Sequence, residues 1–357
     1  MVNRVRRRVV ASPLALALCS ANAGSIASLA QASGAPGALV GIQEDGAKPQ
    51  LHVWGLADPE SKEPMTSQMH MRLGSVSKLF AGSVALRLAD AGHLDLAAPV
   101  RSMLTDLPLA PDITVAMLGA HTSGLDDLIR QRAFQAELNA NPRHHWDSKE
   151  LISRALRLAP RAAPGARVLY SNLNTILLAA ACERATGMAW PELLKRWVFE
   201  PCGLNDVAIT EPTGLPAPSP KGYRYARAHW PIGYGETWID ATQFSASWTG
   251  AAGNLHATVS DLIRAVQPLC SGALLSPGAK ARLHAWRHSE WAGEQAGFHV
   301  FNIAGCIGHA GDVPGFSAAA FWNPSTRTSA AALCNLSNTA QGTNPALQLV
   351  RSILTCA

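Results

Sequence analysis

The spacing of apolar positions changes period several times along the chain, and each change predicts an element. Residues 38–42 and 51–56 are short runs of Val, Leu, Ile and Trp parted by Glu44-Asp45-Gly46, which predicts a β-hairpin. From residue 76 the spacing turns helical, with Leu79, Phe80, Val84, Leu88 and Ala91 apolar and Gly92 as a stop. Residues 175–185 and 191–198 read as two further helices, the first ended by Gly187 and the second opened by Pro191. Residues 261–269 predict another. Towards the C-terminus, residues 316–322 and 328–335 read as strands joined by Asn323-Pro324-Ser325, and residues 346–354 close with a helix. The Pro-, Gly- and Tyr-rich stretch 214–236 reads as a long loop. Strands at both ends around a helical middle predict an α+β fold: one antiparallel sheet built from both termini, flanked by helices, with a mainly helical domain inserted.

Composition agrees with a large core, because 48% of the 357 residues are hydrophobic and only 15% are charged. The length suits two domains. The expected division is a sheet domain from residues 34–72 and 262–357, and a helical domain over 73–261. The net charge is +5, but Arg4, Arg6, Arg7 and Arg8 stand in the first eight positions, and residues 1–33 contain no acid. Past that segment the charges nearly balance, which argues against a nucleic-acid partner.

Residues 1–33 read as a signal peptide. After the arginines comes an apolar stretch of about 11 residues, too short for a bilayer that needs ~20. Two Ala-x-Ala sites follow, Ala21-Asn22-Ala23 and Ala30-Gln31-Ala32, either of which suits cleavage. The expectation is an exported protein, periplasmic or secreted, without a stable membrane span. In that compartment Cys182, Cys202, Cys270, Cys306, Cys334 and Cys356 form an even set able to make up to three bridges, or they serve as small apolar core residues.

Ser75-Val76-Ser77-Lys78 is the only Ser-x-x-Lys in the chain and falls where the helical spacing begins. Residues three apart share a helix face, so Lys78 can reach the Ser75 hydroxyl. A serine is a poor nucleophile until a base takes its proton, and a lysine serves only if its pKa drops by ~3 units. The positive helix end would also favour negative charge developing at Ser75. Taken singly, such a pair is an ordinary helix face. It is joined, however, by Tyr170-Ser171-Asn172, the only Tyr-x-Asn, and by His309-Ala310-Gly311, the only His- or Lys-x-Gly.

With these three elements in this order, the sequence resembles the serine β-lactamase and penicillin-binding DD-peptidase superfamily, in its class C β-lactamase, DD-carboxypeptidase and esterase branch. Residues 92–96 (GHLDL), 121–125 (HTSGL), Gly222-Tyr223 and 308–316 (GHAGDVPGF) resemble other recurring segments of that family. The resemblance runs from about Gly37 to the end and implies a β-lactamase/transpeptidase-like fold with the nucleophile at the domain interface. It implies Ser75 as the acylated nucleophile and Lys78 as its proton partner. Tyr170 would pass protons to the leaving group and the deacylating water, and Asn172 would hold the substrate amide or orient Lys78. His309 would complete the proton network from a cleft-lining strand. Backbone N–H groups of Ser75 and Asp312 would form the oxyanion hole, with Ala310, Gly311 and Trp248 lining the substrate cleft. His121 would be structural, packing beneath it.

Two departures bear on the substrate. β-Lactamases of this branch usually carry Lys where His309 stands, and residues 297–308 contain no Arg or Lys to clamp a terminal carboxylate. Asp312 adds a negative charge at the same edge, so a neutral ester or amide is favoured over an anionic substrate. No Gly-x-Ser-x-Gly elbow, Walker A run or His-Glu-x-x-His occurs, and neither a metal nor another cofactor is expected. The reading is an exported serine hydrolase acting through an acyl-enzyme on a small amide or ester, with a peptidoglycan peptide or β-lactam within its range. The alternatives are a true class C-like β-lactamase and a penicillin-binding or peptidoglycan-sensing module with little turnover.

Overall fold

The computed structural model of the chain describes residues 23–210, 214–225 and 238–355. Nine antiparallel strands form the main sheet in the order β3-β2-β1-β14-β13-β12-β11-β10-β9. Its N-terminal part is β1 (Gly37–Glu44), β2 (Gln50–Asp58) and β3 (Glu63–Pro64). Its C-terminal part is β9 (Arg287–His288), β10 (Glu294–Ala296), β11 (Phe301–Ile303), β12 (Cys306–Val313), β13 (Phe316–Asn323) and β14 (Thr328–Cys334). β1 pairs with β14, Ala38 opposite Cys334, so the two ends of the chain close one sheet.

The central strands are apolar on both faces because helices cover both. Along β13 and β14, Ala318, Ala320, Ala331 and Leu333 join the main core, while Ala319, Phe321, Ala330, Ala332 and Cys334 join a second cluster. Such strands read as continuous apolar runs rather than alternating ones. The second cluster is completed by α1 (Ala23–Ala32) and by α5 (Pro345–Thr355), through Ile26, Ala30, Leu349 and Val350. On the other face, α4 (Val259–Ser271) packs against β1, β13 and β14. Beyond it lie α2 (Ser77–Asp90) and α3 (Asn172–Thr186), which pack together at the centre of the main core. α2 is buried on nearly every side except its last turn. That is why its apolar stripe is broad rather than amphipathic.

Around these lie short helices at Val115–Gly119, Arg132–Ala140, Ser148–Ala155 and Trp190–Leu194. A small sheet joins β4 (Met71–Arg72), β8 (Leu255–Ala257) and β5 (Val207–Ile209). In the region read as loop, β6 (Tyr223–Tyr225) pairs with β7 (Trp238–Asp240), and residues 226–237 lie outside the described residues. β6 escapes notice because it is three residues long and paired across a gap in sequence.

Residues 1–22, with the arginines and the apolar stretch of the expected leader, also lie outside the described residues. No helix among the described residues is long and apolar enough to cross a membrane. The five described cysteines are free thiols, which is the second of the two readings, small apolar packing residues; Cys356 lies outside the described residues. Cys182 and Cys270 lie in the main core, Cys306 and Cys334 in the second cluster, each packed as a small apolar side chain.

Candidate active site

Ser75 sits on a tight 3-10 turn, Gly74–Val76, that leads directly into α2. The turn is tied down from β8: Leu73 N donates to Leu255 O at 2.8 Å, and Leu255 N donates to Ser77 Oγ at 3.2 Å. Two glycines let β12 lie against this turn. A Cβ on Gly311 would come within 2.3 Å of Leu73 O and 2.5 Å of Ser75 N. Gly74 has φ +51°, and a Cβ there would meet Asp312 N at 2.8 Å. The backbone amides of Ser75 and Asp312 are thereby brought to one place.

Lys78, one turn on, is completely buried. Its Nζ lies 3.0 Å from Ser75 Oγ, 2.7 Å from Asn172 Oδ1 and 2.9 Å from Ala252 O. The last two groups can only accept. A neutral Lys78 amine therefore gives them its two N–H bonds, and its lone pair faces the Ser75 hydroxyl. Burial pulls the Lys78 pKa down to about 7, against the opposing pull of Asp127 and Asp312.

Asn172 is placed by the start of α3. Its backbone N–H donates to Asp127 Oδ2 at 2.6 Å, and Asp127 Oδ1 accepts from Ile129 N at 3.2 Å. Burial holds the Asp127 carboxyl above its ordinary range. A carboxylate at this helix start also meets the positive end of the dipole.

Tyr170 hydrogen-bonds Ser75 through its hydroxyl, and burial raises its pKa, so the phenol stays protonated at neutral pH. Its ring lies 4.8 Å from Lys78 Nζ, and its backbone N–H donates to Glu290 Oε1 at 2.8 Å. Beneath it the His121 ring stands 4.7 Å away, and His299 lies 4.8 Å beyond His121. His121 Nδ1 faces two N–H donors, Ser171 N at 3.4 Å and Asn174 Nδ2 at 3.2 Å. That assigns the ring proton to Nε2. His121 and His299 are fully buried and their pKa values lie well below the ordinary one, through desolvation. His121 thus supports the site from below, without facing the cleft.

His309 reaches the cleft from β12, but its Nδ1 is 2.5 Å from Ala310 O and its Nε2 has no partner among the described residues. Burial, with Lys78 nearby, pushes its pKa down to about 3. It is a neutral imidazole 6.0 Å from the Tyr170 ring, not a hydrogen-bonded member of the Ser75–Lys78–Tyr170 set.

These groups open into a cleft of about 470 Å³. Ser75, Tyr170, Asn172, His309, Ala310, Gly311, Asp312 and Trp248 all line it, so every site residue singled out in the sequence is there except the buried Lys78. Trp248 is both wall and core, at 5% exposure. Trp291, Phe301, Phe321 and Leu347 add apolar surface. Among the described residues, the charged ones lining it are Glu294 and Asp312. Burial raises the Asp312 carboxyl to about 6, against an Asn344 hydrogen bond and Lys78.

Several participants had no signal in the sequence. Asp127 and Asn344 come from distant loops, and the Ala252 carbonyl is backbone. Trp291 and Glu294 stand on the β9–β10 hairpin, whose strands are too short to show a period.

A serine on a helix-leading turn, faced by a buried lysine and an Asn-held network between a sheet and a helical layer, defines a protein of the serine β-lactamase/transpeptidase class. The family model described as Beta-lactamase matches residues 23–355, and the chain belongs to that family. A D-aminopeptidase of Cereibacter sphaeroides is 29% identical over 215 residues, covering 59% of this chain and 41% of that protein. A Beta-lactamase of Yersinia enterocolitica is 28% identical over 198 residues, covering 55% and 48%. The chain thus matches less than half the length of these relatives. The solved D-amino acid amidase from Ochrobactrum anthropi SV3, complexed with D-phenylalanine, superposes with a TM-score of 0.81 at 23% identity, covering 97% of this chain and 99% of that one. A D-stereospecific amidohydrolase from Streptomyces sp. gives 0.80 at 23% identity, covering 94% and 98%.

Proposed function

We propose that the chain is a serine hydrolase that cleaves a small amide or ester through a Ser75 acyl-enzyme. The observation that carries this is the Lys78 amine, with two fixed acceptors for its N–H bonds and its lone pair left for Ser75 Oγ. Neutral Lys78 takes the Ser75 proton as Oγ bonds to the substrate carbonyl carbon. The N–H groups of Ser75 and Asp312 hold the resulting oxyanion, a role in which losing one donor typically costs ~3 kcal/mol. Collapse expels the amine or alcohol, which takes a proton from the Tyr170 hydroxyl as Lys78 returns one to Tyr170. Water then attacks the ester by the reverse relay and frees Ser75. Tyr170 works as a hydroxyl relay and Lys78 as the resting base, since burial favours the neutral form of each.

The substrate is an amide or ester without a carboxylate at the reacting end, because the described lining offers two carboxylates and neither Lys nor Arg to receive one. The D-aminopeptidase relatives support an amide of this kind and the Beta-lactamase relatives a β-lactam, so the preference for the former rests on the charge of the lining. The chain is also an exported protein by this reading, on the strength of its leader.

Intact-mass spectrometry of the protein with an activated ester and with a penicillin, beside Ser75→Ala, tests the assignment. Ester turnover through an adduct absent from Ser75→Ala is expected. Rapid penicillin turnover would promote the β-lactamase reading, and a stable penicilloyl adduct the sensing module. A folded wild type that neither hydrolyses nor traps either reagent would end the catalytic assignment.

A further inference from the structure

Within the cleft, Asp312 stands apart from the other charged groups. Its backbone N–H lies where β12 meets the turn that carries Ser75, so its side chain branches from the same residue whose N–H would hold the oxyanion. The side chain lines the cleft, hydrogen-bonds Asn344, and makes no ion pair among the described residues. Asn344 is itself fixed, its Nδ2 donating to Gly311 O at 2.9 Å and its Oδ1 accepting from Leu347 N at 2.8 Å. Glu294, the other cleft carboxylate, shares its field with Arg351 of α5. The cation facing Asp312 is Lys78, which must lose its charge to act as base. Around them the walls are aromatic: Trp248, Trp291, Phe301 and Phe321. Aromatic faces and a carboxylate attract a cation together.

We infer that Asp312, tethered by Asn344, selects substrate charge: it takes a substrate ammonium two or three bonds from the scissile carbonyl and repels a carboxylate there. This rests on the functional reading above and names its substrate class, an amide or ester of an amine-bearing acid with an aromatic or large apolar side chain. The physics gives the selection a second effect. A bare Asp312 carboxylate stabilises the charged form of Lys78 and so holds back the base. A substrate ammonium docked on Asp312 cancels that field and favours the neutral amine. The right substrate would therefore raise kcat as well as lower KM.

The test compares D-phenylalanine amide, N-acetyl-D-phenylalanine amide and a neutral activated ester on wild type and Asp312→Asn. The variant keeps the backbone N–H and a partner for Asn344. Wild type is expected to favour the free amine over the acetylated amide by about 10- to 100-fold in kcat/KM, the range of a hydrogen bond to a charged group. Asp312→Asn is expected to bring that ratio near one, with part of the change in kcat. A wild-type ratio near one, or a ratio unchanged in Asp312→Asn, would overturn the inference while ester acylation of Ser75 left the hydrolase reading standing. Collapse of the ratio in Glu294→Gln instead would move the role to Glu294 and overturn it equally. If the ester does not acylate Ser75 at all, the hydrolase reading falls and takes this inference with it.

Discussion

Replacing Asp127 by Asn probes the electrostatics of the base without touching the nucleophile. Lys78 is displaced from the ordinary 10.5 to about 7, which corresponds to ~5 kcal/mol in favour of the neutral amine. Asp127 works against that displacement, since a carboxylate near an ammonium stabilises the charge. It reaches Lys78 through one residue: its Oδ2 accepts from Asn172 N at 2.6 Å, and Asn172 Oδ1 accepts from Lys78 Nζ at 2.7 Å. Two charges ~7 Å apart at an effective dielectric of about 20–40 interact by ~1–2 kcal/mol. Removing the carboxylate should therefore lower the Lys78 pKa by about one unit. Activity requires the neutral amine, so kcat/KM on a neutral activated ester falls on the acid side of that pKa, and the midpoint of this limb should move down by about one pH unit in Asp127→Asn. Circular dichroism at each pH establishes that both proteins remain folded. An acid limb that stays in place or moves up would refute the reasoning, because a base other than Lys78 would then control the profile.

Two further outcomes follow from burial. His121, His299 and His309 are held neutral with pKa values below the ~6.5 of an exposed histidine, so the unfolded chain takes up protons first as pH falls. Their contribution is complete above about pH 6.5 and shrinks below it, by ~2 kcal/mol per histidine at pH 5. The raised Asp312 carboxyl acts oppositely and returns ~1 kcal/mol there. Thermal melting between pH 7.5 and 5 should show a clear fall in Tm, and a flat profile would contradict three buried neutral imidazoles. The second outcome concerns the leader. Ile26 and Ala30 of α1 are buried against the sheet and α5, so a chain starting at Ser33 should lose ~2–4 kcal/mol. Export should then be accompanied by cleavage after Ala23 rather than Ala32. Intact mass of the exported protein and urea titration of a chain starting at Ser33 check this, and a mature N-terminus at Ser33 with full stability would refute it.

The elements legible in the sequence are those whose pattern is long or whose chemistry is local. α2, α3, β13 and β14 announce themselves because a buried face repeats over several turns or pleats. Ser75 and Lys78 are three residues apart, and the helix that joins them makes their contact inevitable once it forms. Tyr170, Asn172 and His309 were legible as residue types in an order that a family resemblance supplies, without distances. The network around them is a different matter. Asp127 caps the start of α3 from 45 residues away, Ala252 contributes only a carbonyl, and His299 reaches His121 by packing. No periodicity encodes such meetings, because each depends on where separate elements dock. The pKa values follow the same division. Sequence alone states that a lysine base must be depressed. Whether Lys78 is depressed depends on full burial and on which acceptors surround its nitrogen, and those are properties of the packed core.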